Sequence, residues 1–195
     1  MAQVWSGLQA LDTWGFLLIN RVLQNSVFDV LMPILNTKSY YILPATATVL
    51  MLGVRGGRRM WILLAVTLAA VGLSDQGANL IKDAIPRTRP CHVISDVHLL
   101  VGCTQSMAFP SNHASNMFAL ATMAWLEFRR WRWVLPALAL AMAYSRVYVG
   151  VHYPSDVLVG ALWGAAIGWT CTTMVSRALP DWLGGRPREA TGEPA

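Results

Sequence analysis

The sequence predicts an all-α membrane protein: a polytopic helical bundle of five or six spans, with a candidate interfacial helix at its N-terminus. Three observations carry that reading. Hydrophobic residues make up 55% of the 195 residues and charged residues only 13%, where a soluble domain has about 45–50% and about 25%. Five stretches approach the roughly 20 apolar residues that a spanning helix needs. Arginines collect in alternate connections between those stretches, as the positive-inside rule requires. The same figures exclude a disordered chain and speak against a soluble enzyme.

Residues 1–37 form a first unit. Within it, 13–35 is apolar on average but carries Asn20, Arg21, Gln24, Asn25 and Asp29. That polar density suits one helix lying in the interface. The alternative is a sixth span, opposed by the mid-bilayer cost of Arg and Asp. No cleaved signal peptide is expected, because a basic leading stretch and an A-x-A site after a clean apolar run are both missing.

The membrane-embedded unit is 38–180. Its first span, 39–54, is short but flanked by Lys38 and Arg55, which can snorkel. The second, 60–84, carries Asp75 and Lys82 in its later half, and Pro86 disfavours helix at Ile85, ending it there. The third, 111–126, opens at Ser111, a favoured N-cap. The fourth is 133–149. The fifth, 157–176, has no charged residue and is the clearest. Residues 181–195, rich in Gly, Pro and charge, read as a disordered cytoplasmic tail.

Net charge is +5, from 13 Arg and 2 Lys against 10 acidic residues. Arg55, Arg58 and Arg59 lie between spans one and two, Arg129, Arg130 and Arg132 between three and four, and Arg177, Arg186 and Arg188 after five. With five spans these regions share one face, cytoplasmic by the positive-inside rule. Segments 82–113 and 146–156 then share the opposite face. Trp125, Trp131, Trp133 and Trp182 fit interfacial anchors. Short interhelical connections with Trp match a membrane topology better than a groove-binding stripe, so no nucleic-acid partner is expected; the partners expected from this placement are membrane lipids.

All four histidines (92, 98, 113 and 152) fall in the two outward segments, together with Lys82, Arg87, Arg89, Arg146 and Asp156. Ionisable groups at membrane depth are expensive and commonly functional. Taken singly, each group has a plainer explanation: snorkelling for Lys82 and Arg89, helix capping for Ser111, a surface pair for His152 and Asp156. Taken together they suit a phosphate. Lys82, Arg89 and Arg146 can neutralise a dianion and the charge of its transition state. N–H groups near Ser111 to His113 add to them. His152 and Asp156, four apart, share a helix face if the helix starts there. A carboxylate on one imidazole nitrogen fixes the tautomer and raises the basicity of the other, making a nucleophile. A second histidine can protonate the leaving oxygen. No carboxylate cluster suited to Mg²⁺ is visible, so neither a metal nor a cofactor is implied.

At these residues the sequence resembles the type 2 phosphatidic acid phosphatase superfamily of integral membrane lipid phosphatases. Its three-part signature reads K-x6-R-P, P-S-G-H and S-R-x5-H-x3-D. Here these are Lys82 to Arg89-Pro90, Pro110-Ser111-Asn112-His113, and Ser145-Arg146 with His152 and Asp156. The resemblance covers 82–156 and the spans around it, and leaves out 1–37 and the tail. It implies that His152 attacks phosphorus to form a phosphohistidine, that Asp156 orients it, and that His113 protonates the leaving oxygen and then activates water. It implies that Lys82, Arg89, Ser111 and Arg146 hold the phosphoryl oxygens with the backbone N–H of Asn112. Asn112 departs from the signature glycine. Gly there would serve a left-handed or closely approached backbone, for which Asn is among the best replacements; an inactive relative is the alternative.

The leading substrate reading is undecaprenyl diphosphate, dephosphorylated on the outer face of the cytoplasmic membrane. Phosphatidylglycerophosphate, phosphatidic acid or lipid A phosphates are rivals, and a lipid phosphotransferase is a close variant. The soluble vanadate haloperoxidases share the site pattern but not the composition. From another class, a transporter or a non-catalytic lipid-binding protein would use the same basic pocket; inverted repeats are missing, and simple binding has no use for the His152–Asp156 pair.

Three further features complete the reading. Cys91 and Cys103 flank the outer loop; a disulfide fits an oxidising compartment, against a zinc site with His92 and His98 or free thiols, while Cys171 is a small packing residue. Gly160, Gly164 and Gly168 form a small-xxx-small face for close helix approach, within the monomer or in a dimer; the oligomeric state is left open. Asp75 caps a polar network with Asn79 or touches substrate, and Arg87 touches a headgroup or a second phosphate.

Overall fold

In the computed structural model, which describes residues 2–129 and 132–178, every regular element is helical. Helix α1 (Ala2–Leu17) runs into a π-helical turn (Leu18–Val22). Then come α2 (Ser26–Asn36), α3 (Lys38–Ala84), the single turn α4 (Pro90–Val93), α5 (Asn112–Glu127), α6 (Val134–Tyr148) and α7 (Pro154–Ala178). The expected tail 181–195 lies outside the described residues, as do Arg130, Trp131 and Trp182.

The expected third, fourth and fifth spans correspond to α5, α6 and α7. The first two share α3, which breaks at Gly57 with φ 61° and ψ −157°, a conformation open to glycine but strained for other residues. Two described helices, Gly53–Ala84 and Pro154–Ala178, are long and apolar enough to cross a bilayer; Ser26–Asn36 and Val134–Tyr148 are apolar but shorter.

The N-terminal unit departs from the single helix expected over 13–35. Its polar residues have tertiary partners that break the helix. Asn20, fully buried in the π turn, donates from Nδ2 to the carbonyls of Tyr148 (2.7 Å) and His98 (2.9 Å), and its Oδ1 accepts from the His98 amide. Arg21 donates to the carbonyls of Ser95 and Asp96. Asn25 starts a new helix by accepting from the Phe28 amide at 2.9 Å. Asp29 accepts from the Tyr148 hydroxyl at 2.7 Å and lies 2.8 Å from Nε2 of His98.

The core forms around α5, which packs chiefly on α7 and also on α6 and α3. The glycine stripe of α7 makes that closeness attainable. A Cβ on Gly160, Gly164 or Gly168 would stand 2.5, 1.8 or 2.5 Å from the carbonyl oxygens of Ser111, Ser115 and Ala119 respectively. The stripe therefore faces α5 of the same chain. Where the break in α3 meets the last turn of α5, Gly56, Arg59 and Met60 line a cleft with Glu127, Phe128 and Arg129. Arg59 and Arg129, from two of the arginine-bearing connections, thus share one cleft. At that end Trp125 meets Trp133 edge-on, and the Arg132 guanidinium lies over Trp125. The other end of α3 and the start of α5 carry the signature residues.

Candidate active site

The site is built where four helix ends converge. Lys82 lies in the last turn of α3, which Pro86 cannot extend. Its Nζ donates to the carbonyls of Met107 and Pro110, so the lysine ties the end of α3 to the loop that enters α5. Ser111 caps α5 and is fully buried; its Oγ accepts from the Ala114 amide, and its own amide donates to the Asp156 carbonyl at 2.9 Å. The entry of α5 is therefore tied to the start of α7, and a helix N-terminus is the kind of place where an anion is held.

Arg89, just before α4, is buried and fully engaged. It donates to the Ser106 carbonyl (2.8 Å) and hydroxyl (2.9 Å), and from Nη1 to the Val151 carbonyl (3.0 Å) and to Nε2 of His152 (3.0 Å). An arginine N–H can only donate, so Nε2 must offer its lone pair and the His152 proton sits on Nδ1. Asp156, in the first turn of α7, places Oδ2 3.5 Å from that Nδ1, a loose contact, while the same oxygen accepts the Tyr153 amide at 2.8 Å. Burial comes first, and the cations Arg146, Arg89 and Lys82 with His113 add to it; together they hold the His152 pKa well below the ordinary imidazole value. The imidazole is thus a neutral base with its lone pair directed at a guanidinium that a phosphoryl oxygen can take over.

Arg146, in the last turn of α6, is buried and donates to Oδ1 of Asn36, which closes α2. Asn36 in turn donates to the Ser145 hydroxyl at 3.1 Å and the Met32 carbonyl at 2.7 Å. His113 stands in the first turn of α5, near enough for its charge to bear on His152. The structure thus gathers Lys82, Arg89, Ser111, His113, Arg146, His152 and Asp156 at one end of the bundle.

Asn112 is placed differently. It is the first residue of α5, and Asp96 is the non-glycine residue with positive φ among those described. Of the two backbone readings, left-handed or closely approached, the left-handed one is therefore corrected: the residue is helical, and its side chain turns to α3. Its Nδ2 donates to Oδ1 of Asp75 and Oδ1 of Asn79, both at 2.9 Å, and Asn116 donates to the same Asp75 oxygen at 3.0 Å. Asp75 and Asn79 do form the expected polar network, with two further asparagines.

Other expectations resolve as plainly. Cys91 and Cys103 are joined in a disulfide, and His98 is turned to Asp29, so the zinc reading fails. Arg87 is held by two carboxylates, Asp12 at 2.6 Å and Asp156 at 2.7 Å. Asp12, Asn36 and Ser106 were not singled out from the sequence. Each is a single polar residue outside the signature, and no local spacing marks it.

The comparisons with known proteins agree with this geometry. The PAP2 superfamily model matches residues 59–180. An undecaprenyl-diphosphatase of Sulfolobus acidocaldarius is 31% identical over 134 residues, 68% of this chain and 62% of that protein. A decaprenylphosphoryl-5-phosphoribose phosphatase of Mycobacterium tuberculosis is 36% identical over 134 residues, 68% of this chain and 66% of its own. The match thus spans less than two thirds of either relative. Among solved structures, LpxE of Aquifex aeolicus has a TM-score of 0.68 at 27% identity, over 81% of this chain and 92% of that one. The PAP2-type phosphatidylglycerolphosphate phosphatase of Bacillus subtilis has a TM-score of 0.65 at 21% identity, over 91% and 88%, a likeness of fold.

Proposed function

The chain belongs to the PAP2 superfamily, and on that premise we propose that it is a membrane lipid phosphatase working through a phosphohistidine. The observation that carries the reading is the neutral, buried His152 whose Nε2 lone pair faces Arg89. A phosphoryl group entering there meets Arg89, Lys82, Arg146 and the first amides of α5. Arg89 passes from Nε2 to a phosphoryl oxygen, and Nε2 attacks phosphorus. The P–N bond forms as the P–O bond to the lipid breaks, and His113 gives its proton to the departing oxygen. Asp156 receives the Nδ1–H more closely as the imidazole becomes cationic. Water then attacks the phosphohistidine, loses a proton to His113, and frees inorganic phosphate and Nε2.

The leading substrate is a polyprenyl diphosphate, undecaprenyl diphosphate first. The support is the activity named for the Sulfolobus relative and the decaprenyl-linked substrate named for the Mycobacterium one. Phosphatidylglycerophosphate, phosphatidic acid and lipid A phosphates are the rivals. We read residues 38–180 as the embedded core with five spans, 1–37 as an added N-terminal unit and 181–195 as a cytoplasmic tail. The active site then opens outside the cytoplasmic membrane. The arginine-rich end of the bundle and the disulfide beside the site support that orientation.

The test is phosphate release by the detergent-purified protein, with EDTA present, from undecaprenyl diphosphate, phosphatidylglycerophosphate, phosphatidic acid and lipid A, beside His152→Ala. Release abolished by the substitution, with trapped phosphohistidine in the wild type, is expected. Release that survives His152→Ala, or none from any of these lipids, overturns the reading.

A further inference from the structure

Asp156 has a second partner that the signature does not require. Its Oδ1 accepts from Nη1 of Arg87 at 2.7 Å, while Oδ2 serves the Tyr153 amide and faces His152. Arg87 is shared: Nη2 donates to Oδ2 of Asp12 at 2.6 Å, Nη1 also donates to the Ser155 hydroxyl at 2.8 Å, and the guanidinium lies 4.0 Å over the Tyr153 ring. Asp12 holds the same corner from the other side. Its Oδ1 accepts the Ser155 amide at 2.8 Å and its Oδ2 the Ser155 hydroxyl at 2.5 Å, both in the first turn of α7. The Asp12 side chain is only 9% exposed and that of Asp156 is fully buried. Asp12 comes from α1, outside the residues 59–180 that match the superfamily.

We propose that Asp12 is a positioning residue for catalysis, acting through Arg87 and the start of α7 to set how strongly Asp156 engages His152. The charges alternate along Asp12, Arg87 and Asp156, and the series ends at the Nδ1–H of the neutral His152. A guanidinium bound to one carboxylate alone draws that carboxylate's charge to itself; divided between two, it leaves more for the imidazole Nδ1–H. The bonds from Asp12 to Ser155 fix the turn from which Asp156 projects. Removing the Asp12 charge leaves Arg87 to Asp156 alone and loosens that turn. Asp156 then recedes from Nδ1 and Nε2 becomes a poorer nucleophile. The phosphate-holding groups Lys82, Arg89 and Arg146 keep their own partners, so binding is spared. The inference rests on the phosphatase reading above.

The experiment compares wild type, Asp12→Asn and Asp12→Glu in the full chain. Activity on the best lipid is read alongside ¹⁵N chemical shifts of the His152 ring at neutral pH, assigned by His152→Ala. His152 faces Lys82 from α3, Arg89 from the loop before α4, His113 from α5, Arg146 from α6 and Asp156 from α7. Their charges are unchanged in both variants. For Asp12→Asn the expected result is a kcat loss of roughly tenfold to a hundredfold, the scale of a small misplacement of a reacting group, with KM little altered. Asp12→Glu recovers most of it, and the Nδ1 shift moves toward that of an imidazole N–H without a carboxylate partner in Asp12→Asn alone, while Arg89 holds the Nδ1–H tautomer in all three. Should Asp12→Asn fail to fold, Arg87→Lys, which keeps the charge but loses the fork, must show the same split. Unchanged kcat, or a loss without a change in the Nδ1 shift and without rescue by Glu, overturns the proposal. A wild type with no turnover whose nitrogen shifts still respond to Asp12→Asn overturns the phosphatase reading and leaves the relay standing.

Discussion

His152 is a base kept from its proton by its surroundings, and that has a thermodynamic signature. Its pKa in the folded protein is held well below the ordinary value, first by burial and then by Arg146, Arg89, Lys82 and His113. The unfolded chain protonates this residue near pH ~6.5, so below that pH the unfolded state binds the extra proton and stability falls as pH falls. Above it both states are neutral and the residue contributes no slope. The midpoint of thermal unfolding in detergent should therefore decline below about pH 6.5, and His152→Gln, which cannot be protonated, should flatten the decline. An identical slope in the variant would remove His152 as its source. Asp75 supports a second test. Its carboxylate accepts from the amides of Asn112 and Asn116, and an unsatisfied buried donor costs roughly 1–3 kcal/mol. Asp75→Ala should cost about that much, and less in an Asn112→Gly background, where one donor is gone; strict additivity in the double-mutant cycle would refute the network. The sequence showed the Asn-for-Gly change but suggested a backbone reason for it. The partners on α3, 33 and 37 residues away, are a tertiary fact that spacing does not reveal.

At the scale of elements, the chain's own periodic signals were legible where a helix is apolar and uninterrupted. The expected 111–126, 133–149 and 157–176 lie close to α5, α6 and α7. The N-terminal unit was not legible, because Asn20, Arg21 and Asp29 read as interfacial polarity when taken alone. Their partners, Tyr148, Ser95, Asp96 and His98, lie 69 or more residues away. The stripe of Gly160, Gly164 and Gly168 was visible in sequence, but not which surface it meets. With α5 as that surface, alanine at each position has a distinct consequence. A Cβ at Gly164 would stand 1.8 Å from the Ser115 carbonyl oxygen, so the two helices must separate. Overpacking of this kind costs typically 1–3 kcal/mol. Gly160→Ala pushes on Ser111, the cap of α5, and should lower activity more than stability; Gly168→Ala, near Ala119, should do the reverse. Thermal unfolding and phosphate release on the three variants check this ordering, and equal activity losses would refute it.

For the whole molecule, the arrangement of charge across the bundle makes the last prediction. The catalytic end was legible because three signature segments fell on one side of the predicted spans, and the fold brings Lys82, Ser111, Arg146 and His152 to neighbouring helix ends. The residues that brace that end, Asp12 and Asn36, were not, since they come from helices with no signature. At the opposite end Arg59 and Arg129 share a cleft, beside Arg58 at the break in α3. Short connections bearing arginine stay on the cytoplasmic side, and acidic residues contribute little to that choice. The Cys91–Cys103 disulfide, 12 residues apart in sequence, belongs to the site end and is stable in an oxidising compartment. Both features support the outward-facing site proposed above. In intact cells, a membrane-impermeant thiol reagent should label a single cysteine placed at Thr104 in a Cys91→Ser, Cys103→Ser, Cys171→Ser background. It should leave one placed at Arg58 unlabelled until the membrane is opened. The reverse pattern would put the phosphate site in the cytoplasm. A substrate whose headgroup is exposed only on the outer leaflet would then be out of reach, so the labelling pattern constrains the lipid as well as the topology.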